Sequence, residues 1–443
     1  MNKSISIHGD WYIPEKEDIK LSGTLEYIPG EKMKLTIHGS FELALKKDGF
    51  VPIIHGLTQK GPITLADTFY TRESWSNSVA FSNYLPTYAY LGIHFSTTSP
   101  IVFKEILIQF HGLYNYIGTT GKKFNNLTNT TEWSMAYRAP EPIFFTINDQ
   151  LSGKIVYEGL VNSEDNKSEF EERVWVGLSY QNNIDFESLS KDLNCLRSFF
   201  SFLSNRIIYP TNILLNYNSP GDHVKLFYSN IFMEKSYTHN YRELVKFADI
   251  LGFFSNYVKS WFEKFSVLSP PINIRTHSFY LDQSYTDERF FNTVRALESF
   301  HRSSRENFLF PKEEYSALIS DIKQNNPLDD KYKEWFNNIF NFGNELPLKM
   351  RLLSLFDELP KSIAESLSDD TTWLASMIKN TRNNYAHRSE DRSNKALTKI
   401  QQVKSTVSLE ALLSFFILKE VGIADEILLP NLVESLEKIS KSV

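Results

Sequence analysis

The chain has 443 residues, of which 42% are apolar and 14% aromatic, and its formal net charge is −6. This length allows two or three domains with buried cores, and the apolar content excludes a disordered chain. The negative charge excludes a protein that coats nucleic acid indiscriminately, so any such contact must come from a local basic patch. Cys195 is the only cysteine, which excludes an internal disulfide and a cysteine-based zinc cluster.

The sequence contains no signal for export or membrane insertion. The opening MNKSISIHGDWY lacks the apolar core of a secretory signal, and no later stretch offers about 18 uninterrupted apolar residues. We therefore expect a cytoplasmic protein without membrane contact. The glycosylation sequons at Asn126 and Asn129 are then accidental.

Residues 1–180 are predicted to be rich in antiparallel strands. Apolar side chains alternate on both sides of Pro29-Gly30, which is the pattern of a β-hairpin: Leu25, Tyr27, Met33, Leu35 and Ile37. Gly, Pro and Asn punctuate four further strand-like runs, as in an antiparallel sheet or sandwich. These runs cover 102–110, 143–147, 154–157 and 174–178.

Helical periodicity begins near residue 187, and we assign 181–275 to a mixed, mainly helical middle region. An apolar stripe with steps of three and four residues marks its first helix: Leu189, Leu193, Leu196, Phe200 and Leu203. A second helical stretch is predicted over 241–265. The Pro-containing segment SPPINIRTHS, residues 269–278, is predicted to be the boundary before the C-terminal domain.

From about residue 280 the sequence predicts only helices, packed as a bundle within 276–443. The first helix carries an apolar stripe that ends on His301, so we expect this histidine to be packed rather than functional: Phe290, Val294, Leu297 and His301. The other helices are expected at 312–324, 331–342, 346–358, 370–386, 394–421 and 431–441. The predicted fold class is α+β multidomain, with an N-terminal antiparallel β-rich domain, a mixed middle region and a C-terminal all-α bundle.

The helix TTWLASMIKNTRNNYAHRSEDR carries the constellation best suited to chemistry. Leu374, Ile378 and Arg382 stand four residues apart, so Arg382 continues an apolar stripe. A guanidinium in such a position needs an anionic partner, and a substrate phosphate is one candidate. His387 lies about 140° further around an ideal helix. The two side chains therefore converge only if the helix ends or bends between them, or if a second protomer completes the site.

The same region is locally basic. Residues 373–400 include six Lys and Arg against Glu390 and Asp391, an excess of four positive charges that forms a modest anion-attracting patch. A structural interpretation stays open, because a helix C-terminus favours a histidine and arginines through its dipole alone. No phosphate-binding loop, zinc-protease motif or paired acidic metal motif indicates another enzyme class.

The run RNNYAH at the end of a helix within a bundle resembles the R-x4–6-H motif of HEPN (higher eukaryotes and prokaryotes nucleotide-binding) domains. The order of elements is also similar, with the leading helix ERFFNTVRALESFHRSSR before the motif and the apolar helix SLEALLSFFILKEVG after it. The opening HGDWYIPEKEDIKLSGTLEYIPGEKMKLTIHGSFE is similar to the N-terminal domain of ApeA-type anti-phage HEPN proteins. The middle of the chain contributes nothing to the resemblance.

The resemblance implies a metal-independent endoribonuclease that uses no cofactor. An RNA 2′-hydroxyl would attack the adjacent phosphorus, leaving a cyclic phosphate and a 5′-hydroxyl. His387 would move protons at the attacking or leaving oxygen. Arg382 would neutralise charge on the phosphoryl oxygens. Asn383, which matches the polar residue that commonly follows the family's arginine, would orient His387 or a phosphate oxygen.

Two further residues are possible supports of this site. Glu298 on the leading helix could approach Arg382, or could only pair with Arg302 four residues along. Tyr385 shares a stripe with Trp373, Met377 and Thr381, so we expect it to pack rather than to stack on a base.

The resemblance also implies a biological setting. Host or phage RNA, possibly tRNA, would be cut in an abortive infection. Residues 1–180 would sense a phage-derived trigger, and the HEPN domain would form a homodimer or a higher oligomer.

Two alternatives stay open. The first is a non-catalytic HEPN-type dimerisation or interaction protein with a ligand-binding β domain. The second is a carbohydrate- or peptide-binding β-sandwich with a helical appendage, in which Trp11, Trp75 and Trp133 line a groove.

Overall fold

The computed structural model divides the chain into two compact units, Met1–Phe262 and Glu263–Val443. It describes residues 4–28, 31–41, 49–76, 79–96, 98–126, 133–165, 167–216, 223–228, 243–280, 287–325, 329–387 and 396–442.

The first unit is built mainly from antiparallel strands. They are β1 Ile5–Tyr12, β2 Leu21–Tyr27, β3 Lys34–His38, β4 Phe50–Thr58, β5 Gly61–Ser76, β6 Val79–Leu91, β7 Phe103–Phe110, β8 Lys122–Asn126, β9 Trp133–Tyr137, β10 Ile143–Asn148, β11 Leu151–Glu164, β12 Lys167–Ile184, β13 Pro210–Asn216 and β14 His223–Tyr228. The helices that begin in this unit are α1 Leu113–Ile117, α2 Phe186–Ser204, α3 Phe247–Ile250 and α4 Phe254–Tyr280, with single 3-10 turns at Pro14–Lys16 and Leu251–Phe253. The N-terminal domain is therefore antiparallel and β-rich, as predicted.

Strands β1–β6 close into a ring in the order β6-β3-β2-β1-β4-β5, with β5 pairing again to β6. Closure pairs both sides of every strand and removes the free edges that an open sheet would leave. Alternate side chains of the ring point inward and form one apolar core. The predicted hairpin is present as β2 and β3, with Leu25 opposite Leu35; its turn at Pro29-Gly30 lies outside the described residues.

Trp11 corrects one interpretation from the sequence. Its side chain is fully buried in the core of the ring, so it cannot line an open groove. It lies opposite Gly56 of β4, where a glycine leaves room for the indole ring. The side chains of Trp75 and Trp133 lie outside the described residues.

A second part of the same sheet extends from β6 through β14, β13, β7, β12 and β11 to β10. Helix α2 starts after Asp185, whose carboxylate accepts a hydrogen bond from the backbone N–H of Ser188 at 2.9 Å. The whole predicted apolar stripe of α2 is buried, and the ring of Phe200 contacts that of Phe110 in β7 with centroids 6.0 Å apart. The apolar stripe therefore fixes α2 on the extended sheet.

The domain boundaries differ from those expected at 180 and 275. Strand β12 runs on to residue 184, β13 pairs with β7 and β14 pairs with β6. Residues after 180 therefore complete the N-terminal sheet, and the first unit ends at residue 262.

The segment 269–278 is not the predicted boundary between domains, because α4 continues through Pro270 and Pro271. Prolines in a helix interior usually break it. Here Leu268 and Ile272 on either side are buried, so tertiary packing outweighs the local preference. The predicted boundary was based on the composition of this segment, which does not reveal the packing of its neighbours.

The second unit is a helical bundle, as predicted. After the C-terminal part of α4 come α5 Asp287–Ser304, α6 Lys312–Asn325, α7 Asp330–Asn341, α8 Leu348–Asp357, α9 Lys361–Leu367, α10 Thr371–His387, α11 Lys399–Glu420 and α12 Asp425–Ser442. The four stripe residues of α5 are all buried, and this helix contacts α8, α10 and α11. The sequence did not predict helix α9, because a helix of seven residues with one buried apolar side chain, Ile363, shows no apolar stripe. Helix α11 starts later than expected, at a capping box of Thr398 and Gln401.

We predict that Gly56→Ala destabilises the first unit by about 1–3 kcal/mol, because a methyl group there would overlap the buried indole of Trp11. The matched control is Gly252→Ala, where an added methyl group meets open space. Urea-induced unfolding followed by tryptophan fluorescence measures both variants. Equal midpoints for Gly56→Ala and Gly252→Ala would show that the packing of Trp11 against β4 is not as described.

Candidate active site

Helix α10 holds the predicted motif. Leu374 and Ile378 are buried, as the apolar stripe requires, and the side chain of Arg382, next on the stripe, is 28% exposed. The helix continues without interruption from Arg382 to His387, its last residue. The side chain of His387 and the polar run 388–395 lie outside the described residues. Within one chain, the two side chains would converge if the helix ended or bent between positions 382 and 387. The helix does not end there.

The guanidinium of Arg382 faces α5. Its Nη2 lies 3.6 Å from Oε2 of Glu298, and its central carbon lies 5.5 Å from the centre of the Phe291 ring. Its Nη1 donates to Oδ1 of Asn383 at 3.2 Å. Among the described residues, the buried Nε has no hydrogen-bond partner. A buried donor without an acceptor is costly, so this arginine is arranged to receive a further acceptor.

Glu298 combines the two roles that the sequence left open. Its Oε1 lies 3.6 Å from Nη2 of Arg302, while its Oε2 faces Arg382. Arg302 also makes a closer ion pair with Glu345 at 2.7 Å. Both contacts of Glu298 are too long for a hydrogen bond. The carboxylate therefore offsets part of the positive charge, but it forms no hydrogen bond with Arg382 and leaves the buried Nε without an acceptor among the described residues.

Tyr385 joins α10 to its neighbours through its hydroxyl. The side chain is 37% exposed, and its hydroxyl donates to Oε1 of Gln402 at 3.1 Å and accepts from Nζ of Lys399 at 3.2 Å. Lys399 pairs with Asp287, which also accepts from Nε2 of Gln402 at 3.2 Å. Burial alone would raise the pKa of Asp287, but the hydrogen bonds from Lys399 and Gln402 hold it below its ordinary value. Tyr385 thus positions α10 beside α5 and α11.

His301 is a packed histidine, as predicted, with 1% of its surface exposed. Burial, together with the positive charge of Arg351, lowers its pKa, so it is neutral near pH 7. Within the described ranges, no group of three His, Cys, Asp or Glu side chains is placed to hold a metal ion.

Sequence reasoning missed Phe291 and the polar group of Asp287, Lys399 and Gln402. A signal for Phe291 existed, because it precedes Glu298 by seven residues and so lies on the same face of α5. The polar group joins residues more than 100 positions apart in sequence. No local spacing could have indicated it.

Two family models match the chain. The one described as ApeA N-terminal domain 1 covers residues 6–261, more than half of the chain. The chain belongs to the ApeA family. The model described as Apea-like HEPN covers residues 291–427 of this ApeA-type protein, from α5 into α12, and includes RNNYAH. Neither the comparison with curated proteins nor that with solved structures gave a match.

The two matched regions fall in the two compact units. The chain is therefore an ApeA-type anti-phage HEPN protein, and its HEPN domain indicates nuclease activity in general, since such domains generally dimerise and act on RNA. None of the helices, over the residues described, is long and apolar enough to cross a membrane.

Proposed function

We propose that this ApeA-type protein is a metal-independent endoribonuclease that cuts host or phage RNA, with tRNA as one candidate, and thereby aborts phage infection. The observation that supports this proposal is the environment of the Arg382 guanidinium. It is largely buried, its Nε has no partner among the described residues, and its nearest carboxylate, Glu298, lies 3.6 Å away. A phosphate group would supply the missing acceptor, because its oxygens accept the planar set of hydrogen bonds that arginine offers.

The chemistry needs only groups that this helix carries. The 2′-hydroxyl attacks the adjacent phosphorus, the P–O5′ bond breaks, and a 2′,3′-cyclic phosphate and a 5′-hydroxyl result. Arg382 stabilises the charge that develops on the phosphoryl oxygens. His387 removes the proton of the 2′-hydroxyl or supplies one to the leaving oxygen. Asn383 accepts a hydrogen bond from Arg382, so in this proposal it positions the arginine.

The helix geometry supports the proposal of a composite site in a homodimer. Positions 382 and 387 are about 140° apart on a regular helix, and α10 is helical over both. A two-fold axis beside α10 would bring Arg382 of one protomer to the partner's His387, and the same contact would occur twice. We therefore propose that the HEPN domain is active as a homodimer, alone or within a higher oligomer.

The first unit is proposed to sense infection through a phage-derived trigger. The proposed RNase residues all lie in the second unit, and an uncontrolled RNase would injure its own cell. A trigger can switch the enzyme on only if it binds the active arrangement better than the resting one.

We expect Arg382→Ala and His387→Ala each to lower RNA cleavage by about 100-fold or more, because each removes charge stabilisation or proton transfer from the transition state. The control Lys361→Ala removes an exposed positive charge from α9, outside the basic stretch 373–400, and should retain activity. Cleavage is measured with purified protein and total RNA in the presence of a chelator, and the ends are identified. If both variants stay active, or if wild-type cleavage requires a divalent cation or leaves 3′-hydroxyl ends, the mechanism is wrong. Absence of cleavage in cells undergoing infection would favour a non-catalytic interaction protein.

The sensor proposal predicts that some surface substitutions in the first unit abolish infection-dependent cleavage but leave folding and dimerisation intact. Exposed apolar side chains such as Phe144 in β10 and Val161 in β11 are suitable first targets, being 71% and 67% exposed. Each variant is scored for phage protection and, separately, for RNA affinity. Retained triggering in every folded variant, or loss that always follows loss of RNA affinity, would exclude a sensing role.

A further inference from the structure

The first unit contains a cavity of about 580 Å³ on the outer face of the closed ring, between β5, β6 and the start of α2. Leu65 and Ala89 of these strands belong to the ring core. Side chains alternate along a strand, so Ala66 and Tyr90, one position further on, lie on the outer face and line the cavity. The volume lies within the range of small organic ligands. The cavity belongs to the first unit and contains none of the proposed ribonuclease residues.

Tyr90 brings a buried hydroxyl without a partner to this cavity. The residue is 2% exposed, and its ring packs against those of Phe95 and Phe103, with centroids 5.1 and 6.4 Å away. Its hydroxyl forms no hydrogen bond with any residue that the structure describes. The hydroxyl of a buried tyrosine normally has a partner. This one is therefore placed to bind a group from outside the chain.

Asp67 lines the same cavity in an unusual backbone conformation. Its φ is +49°, in the left-handed region that residues other than glycine rarely adopt, and the pairing of β5 with β4 and β6 skips this residue. Among the described residues, its carboxylate has no hydrogen bond or ion pair, and partial burial raises its pKa. Such backbone conformations collect at binding sites, and a carboxylate that has lost water is stabilised by a cation beside it.

The polar ends of Asp67, Tyr88 and Tyr90 lie close together. Burial raises the pKa of Tyr90, and the neighbouring Tyr88 hydroxyl and Asp67 carboxylate raise it further. Burial also raises the pKa of Tyr88, and Asp67 again adds to the effect. The carboxylate and the two hydroxyls together offer four oxygen acceptors to one ligand.

Tyr88 and Phe186 form an aromatic wall of the cavity, with ring centroids 4.3 Å apart. The face of an aromatic ring attracts a cation, and a planar cation also stacks on it. The wall therefore favours a ligand that is both flat and positively charged.

The other charged groups at the opening are already paired. The carboxylate of Asp185 accepts from the backbone N–H of Ser188, and Glu187 forms an ion pair with Lys191 at 2.8 Å. The N-terminal end of α2 thus has its own carboxylates, which disfavour an anionic ligand there. Asp67 is the carboxylate that remains for a ligand, so one positive charge matches the cavity.

We propose that this cavity binds a guanidinium group, with its N–H donors directed at the carboxylate of Asp67 and the hydroxyls of Tyr88 and Tyr90, and its flat face on the aromatic wall. A guanidinium carries one positive charge and five donors in a plane, whereas an ammonium offers three donors and no flat face. Free arginine and the arginine side chain of another polypeptide offer the same chemistry. The proposal does not rest on the ribonuclease assignment.

Isothermal titration calorimetry on the full chain tests this proposal with the N-acetyl amides of arginine, citrulline and lysine. Citrulline has the shape of arginine but a neutral urea group. We expect the arginine derivative to bind about tenfold more tightly than either of the others, because it alone combines the charge with the planar donors.

Two variants test the assigned contacts. Asp67→Asn keeps a residue that tolerates the left-handed conformation and should weaken binding of the arginine derivative about tenfold, since a charge-assisted contact is lost. Tyr90→Phe removes one hydroxyl and should weaken it about threefold. The control Asp149→Asn removes an exposed carboxylate from the turn between β10 and β11, outside the cavity, and should bind as the wild type does. Thermal melts verify that all three variants are folded.

No binding of the arginine derivative at millimolar concentration, or unchanged affinity in both Asp67→Asn and Tyr90→Phe, would overturn the site. Equal affinity for the citrulline derivative would exclude recognition of the charge, and equal affinity for the lysine derivative would exclude recognition of the planar group. Free arginine and a short peptide with one central arginine distinguish the source of the ligand. Tighter binding of the peptide would assign the site to an arginine of a partner polypeptide, and tighter binding of free arginine would assign it to a small molecule.

Discussion

A guanidinium on an apolar helix face needs an anion beside it. Glu298 meets this need only in part, and the candidate site depends on the hydrogen-bonding capacity of Arg382 that remains. Glu298 approaches Arg382 only to 3.6 Å and lies at the same distance from Arg302. A full bidentate pair would satisfy the arginine and leave it inert, as the pair between Arg289 and Glu410 illustrates. The loose contact leaves hydrogen-bonding capacity on Arg382, which our proposal assigns to a phosphate.

Helix α5 positions the candidate active site within the second unit. One face of α5 meets the motif helix α10, and Phe291 and Glu298 on this face approach Arg382. The group of Asp287, Lys399, Gln402 and Tyr385 fixes the N-terminal end of α5 to α10 and α11. Lys399 and Asp287 are solvent-exposed, so their ion pair contributes little energy, and the hydrogen bonds of this group add direction to the apolar packing of the three helices.

The sequence predicted what depends on periodicity and missed what depends on distant partners. The β2–β3 hairpin, the buried stripes of α2 and α5 and the bounds of α10 were confirmed, because alternation and helical spacing are local properties. The helix through Pro270 and Pro271 and the burial of Trp11 were not predicted, since both depend on packing against residues far away in sequence. For the site, Arg382 and Glu298 were placed together as one of two possibilities, while Phe291 and Asp287 were not found. The roles of His387 and Asn383 remain predictions.

The central claim is that one active site uses Arg382 from one protomer and His387 from the partner subunit. The most direct measurement mixes the two inactive variants, Arg382→Ala and His387→Ala, under conditions that allow subunits to exchange, and then assays RNA cleavage. In a mixed dimer one of the two composite sites has both native residues, so activity should return, up to about one quarter of the wild-type rate for random exchange of equal amounts. If exchange is verified and the mixture is as inactive as each variant alone, the composite site is contradicted.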